Sequence, residues 1–142
     1  MTETALIVQN NLGHNVLALK EQAKDDLVAM ANLYYQTQVR GQSDNTEDAK
    51  RRDITLFLKF YGSMFHHTHP RDWHASVTRE FIKQLRGGEK KYSQASVARI
   101  YASIRHFAKW AHENVFEFPF GAPTEGIKPP QAPKGDWKGL TR

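Results

Sequence analysis

At 142 residues the chain is long enough for one domain with its own core, and with no cysteine it can hold neither disulfides nor thiolate metal sites. Its 20 Lys and Arg against 15 Asp and Glu give a formal charge of +5, unevenly spread: residues 1–45 carry three basic and five acidic side chains, residues 46–142 carry 17 and 10. A basic body points to nucleic acid or an anionic membrane surface, with a plain solvated surface as the alternative.

No apolar run is long enough to span a bilayer, and Thr2, Glu3 and the Gln9-Asn10-Asn11 run break up the apolar start, so no signal peptide is expected. The chain reads as soluble and cytoplasmic. A first helix is predicted over Asn15 to Val39, with Val16, Leu19, Ala23, Leu27, Met30 and Tyr34 at helical spacing and Gly41 just beyond its end. Its exposed positions are mixed or acidic. A second helix starts near Asp44, with Glu47 three residues on as in a capping box, and continues through Ile54, Phe57, Leu58, Tyr61, Met64 and Phe65. Gly62 within it predicts a frayed last turn or a close helix contact. Phe65 to His74 is a connection containing Pro70.

A short third helix is predicted from an N-cap at Thr78 through Phe81, Ile82 and Leu85 to Gly87-Gly88. The fourth follows Lys90-Lys91, with Ser93 as N-cap and Val97, Ile100, Ile104, Phe107 and Ala111 as one apolar stripe. Ser96, Arg99, Ser103 and His106 are assigned to the opposite face. Five of the six prolines and four of the nine glycines then lie between Pro119 and Gly139, which reads as an extended linker over 119–142 after a globular part spanning 1–118. No strand-like alternation stands out, so the globular part is expected to be all-α.

The order of these features resembles a known family. FLKFY (Phe57 to Tyr61) on the second helix, TREFIKQL (Thr78 to Leu85) on the third, the run from Ser93 to Glu113 and the Gly126-Ile127-Lys128-Pro129-Pro130 exit are together similar to the N-terminal core-binding domain of the tyrosine recombinases, or phage integrases. The resemblance covers Asp44 to Pro130. It implies a four- to five-helix SAM-like bundle forming one half of a clamp around double-stranded DNA, with no cofactor. The family's catalytic half supplies an Arg, a Lys, a His-x-x-Arg motif and a nucleophilic Tyr. None of the seven histidines here is followed at the third position by Arg, so the chain is expected to bind DNA without cutting it, as the N-terminal portion of a recombinase leading at Trp137 to Arg142 toward a catalytic domain.

By position in the resemblance, the second and fourth helices face the DNA. Arg99 and Ser96, with Gln94 beside them, become candidates for base edges or phosphates, and an Arg can bridge guanine O6 and N7. Lys50, Arg51 and Arg52 in the first turns of the second helix oppose its dipole, a cost that phosphate contact would offset; screening by Glu47, Asp48 and Asp53 is the alternative. Lys90 and Lys91 are candidates for backbone contacts, and His106 extends the same face. His66, His67, His69 and His74 lack a cysteine companion and are expected to be solvated loop side chains rather than a zinc site. Trp110 and the Phe116 to Phe120 run are expected to close the end of the bundle, the alternative being that Phe118 and Phe120 anchor the linker against the domain. A helical protein-interaction module remains the competing reading, since the acidic-to-neutral exterior of the N-terminal helix does not favour DNA and the resemblance implies that such a helix contacts the next protomer.

Overall fold

The computed structural model describes residues 12–88 and 90–127, with side chains from residue 17 onward. Among them lie α1 (Leu12–Ala23), α2 (Leu27–Tyr34) running into a π-helical stretch (Tyr35–Val39), α3 (Asp44–Phe65), a 3-10 turn (Pro70–Asp72), α4 (Ala75–Gly87) and α5 (Gln94–Asn114). The domain is all-helical, as expected. No helix among the described residues is long and apolar enough to cross a membrane.

The single N-terminal helix expected over 15–39 is two helices. Its apolar spacing does continue, since Ala23, Leu27, Met30 and Tyr34 are buried, but Asp26 leaves helical geometry at φ −148° and caps α2 by accepting from Val28 N–H at 3.0 Å. Two contacts from the loop after α3 stabilise the break: Leu27 N–H donates to Thr68 O at 2.7 Å, and Thr68 Oγ1 donates to Asp26 at 2.7 Å. Val16, counted in the same stripe, falls outside the residues with described side chains.

Ser43, one residue earlier than the predicted start, caps α3 by accepting from Thr46 N–H at 3.2 Å. Glu47 instead reaches back to accept from Gly41 N–H at 2.9 Å, where φ is +100°. Gly62 makes no close helix contact, because a Cβ placed there would meet nothing within 4 Å, and α3 runs unfrayed through it to His66 in the left-handed region. Met64, assigned to the apolar stripe, is 40% exposed.

Thr78 does not start a helix. His74 occupies the cap, α4 begins at Ala75, and Thr78 is fully buried, accepting from Trp73 Nε1 at 2.8 Å and donating to Pro123 O at 3.0 Å. Trp73 stands at the middle of the core, its ring 4.6 Å from Phe57, 6.0 Å from Phe107 and 5.6 Å from Phe118. Around it α3 packs on α5, with α2 and α4 on either side.

The fourth predicted helix forms as read. Ser93 caps α5 by accepting from Ser96 N–H at 3.1 Å, and Val97, Ile100, Ile104, Phe107 and Ala111 are all buried. Ser103 is a correction: it is buried against α3 rather than outward-facing. Trp110 packs 5.4 Å from Tyr34 and Phe118 is buried, so these aromatics close the bundle, whereas Phe120 is 86% exposed, its ring 6.4 Å from that of His74.

The extended linker expected from residue 119 does not begin there. Pro123 and Thr124 are buried, and Tyr101 Oη lies 3.3 Å from both Thr124 O and Ile127 O, which folds 119–127 back onto α4 and α5. Residues 128–142, including the Lys128-Pro129-Pro130 exit and Trp137 to Arg142, lie outside the described residues.

Candidate nucleic-acid interface

Helices α3 and α5 run in opposite directions along their contact, because Asp53 meets Arg99 and Ser103 while Lys50, a turn earlier on α3, exerts its field on His106, further along α5. Their seam opens into a groove of about 470 Å³ lined by Arg51, Arg52, Asp53, Thr55, Leu56 and Lys59 of α3, Arg99 and Ile100 of α5, and Lys90 and Tyr92 of the connection between α4 and α5. Five cations and one carboxylate share this surface. That density of positive charge in a concave site concentrates the field on whatever anion enters it.

Each expected residue has a place relative to the groove. Arg51, Arg52, Lys90 and Arg99 line it. Lys91 and Gln94 are exposed beyond its lining, and Ser96 is half-buried with its hydroxyl 3.1 Å from the capping Ser93 Oγ. Lys50 is half-buried beside His106, outside the lining.

The cations differ in freedom. Arg51 lies 4.6 Å over the Tyr35 ring and Lys90 5.2 Å from the Tyr92 ring, so both are steered by cation–π contact. Arg99 is held by Asp53, with Nη2 at 2.9 Å from Oδ1 and Nε at 3.4 Å from Oδ2. Lys59 and Tyr92 line the groove without having been singled out in the sequence, and Asp53, expected to screen Lys50, Arg51 and Arg52, pairs instead with Arg99. Lys59 sits two turns after Arg52 on the same side of α3, a spacing visible in the sequence but masked by the apolar residues around it.

Of the four loop histidines, His66 and His74 are exposed, as expected, whereas His67 and His69 are tied in. His67 Nε2 lies 2.8 Å from Asp72 and His69 Nε2 3.3 Å from Asp25, while the Nδ1 atoms of His67 and His69 accept from the backbone N–H of His69 and Arg71. Among the described residues no three His, Asp or Glu side chains are grouped to hold a metal ion.

His106 carries a pKa lowered below its usual value, first by partial burial and then by Lys50, Arg105 and Lys109. It is therefore neutral at pH 7, and an approaching phosphate would raise its pKa again. In the window between the free and bound values the complex holds more protons than its parts. If an anionic duplex binds across this face, its affinity should thus rise on lowering the pH from 7.5 to 5.5 at constant salt, because binding takes up a proton. Anisotropy titrations should show His106→Gln flat over that range. Domain stability should move oppositely, falling below pH 6.5 as the unfolded chain takes up the proton that the folded site resists.

No curated protein and no solved structure matches the chain. A family model, that of the phage integrase N-terminal SAM-like domain, matches residues 31–114. The match runs from the middle of α2 through the whole of α3, α4 and α5, more than half of the chain and every groove-lining residue, and the chain belongs to the phage integrase N-terminal SAM-like domain family.

Proposed function

We propose that this domain binds duplex DNA along the α3–α5 groove and serves integration and recombination as the core-binding part of a cytoplasmic tyrosine-type recombinase. The observation that carries the reading is the convergence of Arg51, Arg52, Lys59, Lys90 and Arg99 on one concave surface. Phosphates entering it would release condensed counterions, which provides affinity without sequence preference. On this reading the chain contributes no catalytic group, and strand exchange belongs to a separate catalytic domain.

The test is fluorescence anisotropy of a labelled duplex of about 30 base pairs at 50 and 200 mM salt. Four phosphate contacts imply about a 150-fold loss of affinity between those concentrations, from a slope of about −0.9 per contact. No binding at 50 mM would overturn the reading.

A second reading has its own support. Leu17 on α1 is 61% exposed and Val28 on α2 is 43% exposed, two apolar side chains on the N-terminal helices that a helical protein partner, including a second copy of the chain on DNA, would cover. Such a contact would be almost insensitive to salt, which separates it from phosphate binding in the same titration.

A further inference from the structure

A carboxylate buried beneath a surface that collects anions is out of keeping with phosphate binding. Asp53 is 1% exposed in the wall of the basic groove, and its negative charge opposes the proposed ligand. A burial of this kind is tolerated only when both oxygens are satisfied, and here they are: Oδ1 accepts from Arg99 Nη2 at 2.9 Å, and Oδ2 accepts from Ser103 Oγ at 2.7 Å and from Arg99 Nε at 3.4 Å. Ser103 fixes the carboxylate from α5, and the carboxylate fixes the guanidinium. The Arg99 side chain is nevertheless 51% exposed.

Which edge is occupied decides what remains available. A guanidinium has five N–H donors in a rigid plane, and Asp53 takes the edge formed by Nε and Nη2. Both N–H groups of Nη1 and the second of Nη2 stay unused by this contact, and the end-on edge presents two parallel donors. In the major groove guanine alone offers two adjacent acceptors, O6 and N7; adenine pairs N7 with a donor, cytosine offers a donor, and thymine one acceptor beside a methyl group. An arginine locked in plane by a carboxylate cannot turn to suit another base. A mobile one can follow a phosphate instead.

Resting on the duplex-binding reading above, we infer that Asp53 is a positioning residue that presets Arg99 to read one guanine in the major groove, with Ser103 holding Asp53 in place. The groove's other cations supply affinity. This triad supplies discrimination at one base pair.

The experiment is selection from a randomised duplex of about 30 base pairs with the full chain, followed by affinities for the selected site, for the same site with the preferred guanine replaced, and for random duplex. The wild type should prefer guanine at one position by tenfold or more. Asp53→Asn should lower that preference below about threefold while binding random duplex more tightly, because a negative charge has left the groove. Arg99→Lys should lose the preference likewise, since an ammonium cannot present the fork, and its loss on the selected site should exceed its loss on random duplex by about tenfold. Ser103→Ala should fall between wild type and Asp53→Asn.

A thermal melt checks folding, and if Asp53→Asn does not fold, Arg99→Lys carries the same test. Preference retained in either folded variant overturns the inference, as does an Arg99→Lys loss that is equal on all sequences, which would make Arg99 a phosphate contact. A wild type that fails to bind any duplex at 50 mM salt overturns the binding reading itself. A wild type that binds duplex with no guanine preference overturns only the role of this triad.

Discussion

Trp73→Ala should cost about 3–5 kcal/mol, the range for deleting a large aromatic from a packed core, and that is a large fraction of the stability of a domain this size. Trp73 is 1% exposed, in contact range of Phe57, Phe107 and Phe118, and its indole N–H is held by Thr78 Oγ1. The ring therefore joins α3, α5, the α3–α4 connection and the segment after α5, and no neighbour can collapse into its space without moving another element. Trp73→Phe retains most of the volume and loses the N–H donor, so it should cost about 1–2 kcal/mol. Urea denaturation followed by far-UV circular dichroism checks both. The midpoint should fall far more for alanine with the slope unchanged, since the surface exposed on unfolding is almost the same.

That residue also shows where sequence reasoning stops. Trp73 lies in an irregular connection, where no helical period marks it as core, whereas the α5 stripe from Val97 to Ala111 is legible because every member repeats on one face behind a serine cap. Thr78 stands ahead of an apolar run just as an N-cap would, and its hydrogen bonds to Trp73 and to Pro123, 45 residues along the chain, show it to be core. The break at Asp26 similarly depends on Thr68, and such long-range partners leave no local trace. Ser103 was open to a better reading. At 100° per residue it sits only about 40° from Phe107 on the helix wheel, on the flank that meets α3, not opposite the stripe. The basic residues of the groove were recognisable by type, but their division into held and free cations required Tyr35, Tyr92 and Asp53 to be placed in space.

Combined substitution of Arg52, Lys59 and Lys90 by alanine should have the largest effect on binding. All three are exposed and line the groove, and on the duplex-binding reading each substitution removes one phosphate contact. The salt slope should flatten by about 2.7, and the loss of affinity between 50 and 200 mM salt should shrink by about 40-fold. Folding should be little altered, because exposed substitutions away from caps and core shift stability by about 0.5 kcal/mol or less each. Net charge alone predicts the same change from any three cations, so the comparison lies on the far side of α4. There Arg79, Lys83 and Arg86 line a separate groove with Ile82, Gly126 and Ile127 that shares no residue with the one at the α3–α5 seam. Their replacement by alanine removes the same charge and should leave the slope close to that of the wild type. If both triple variants flatten the slope equally, the duplex is held by diffuse charge, and the seam between α3 and α5 is not its seat.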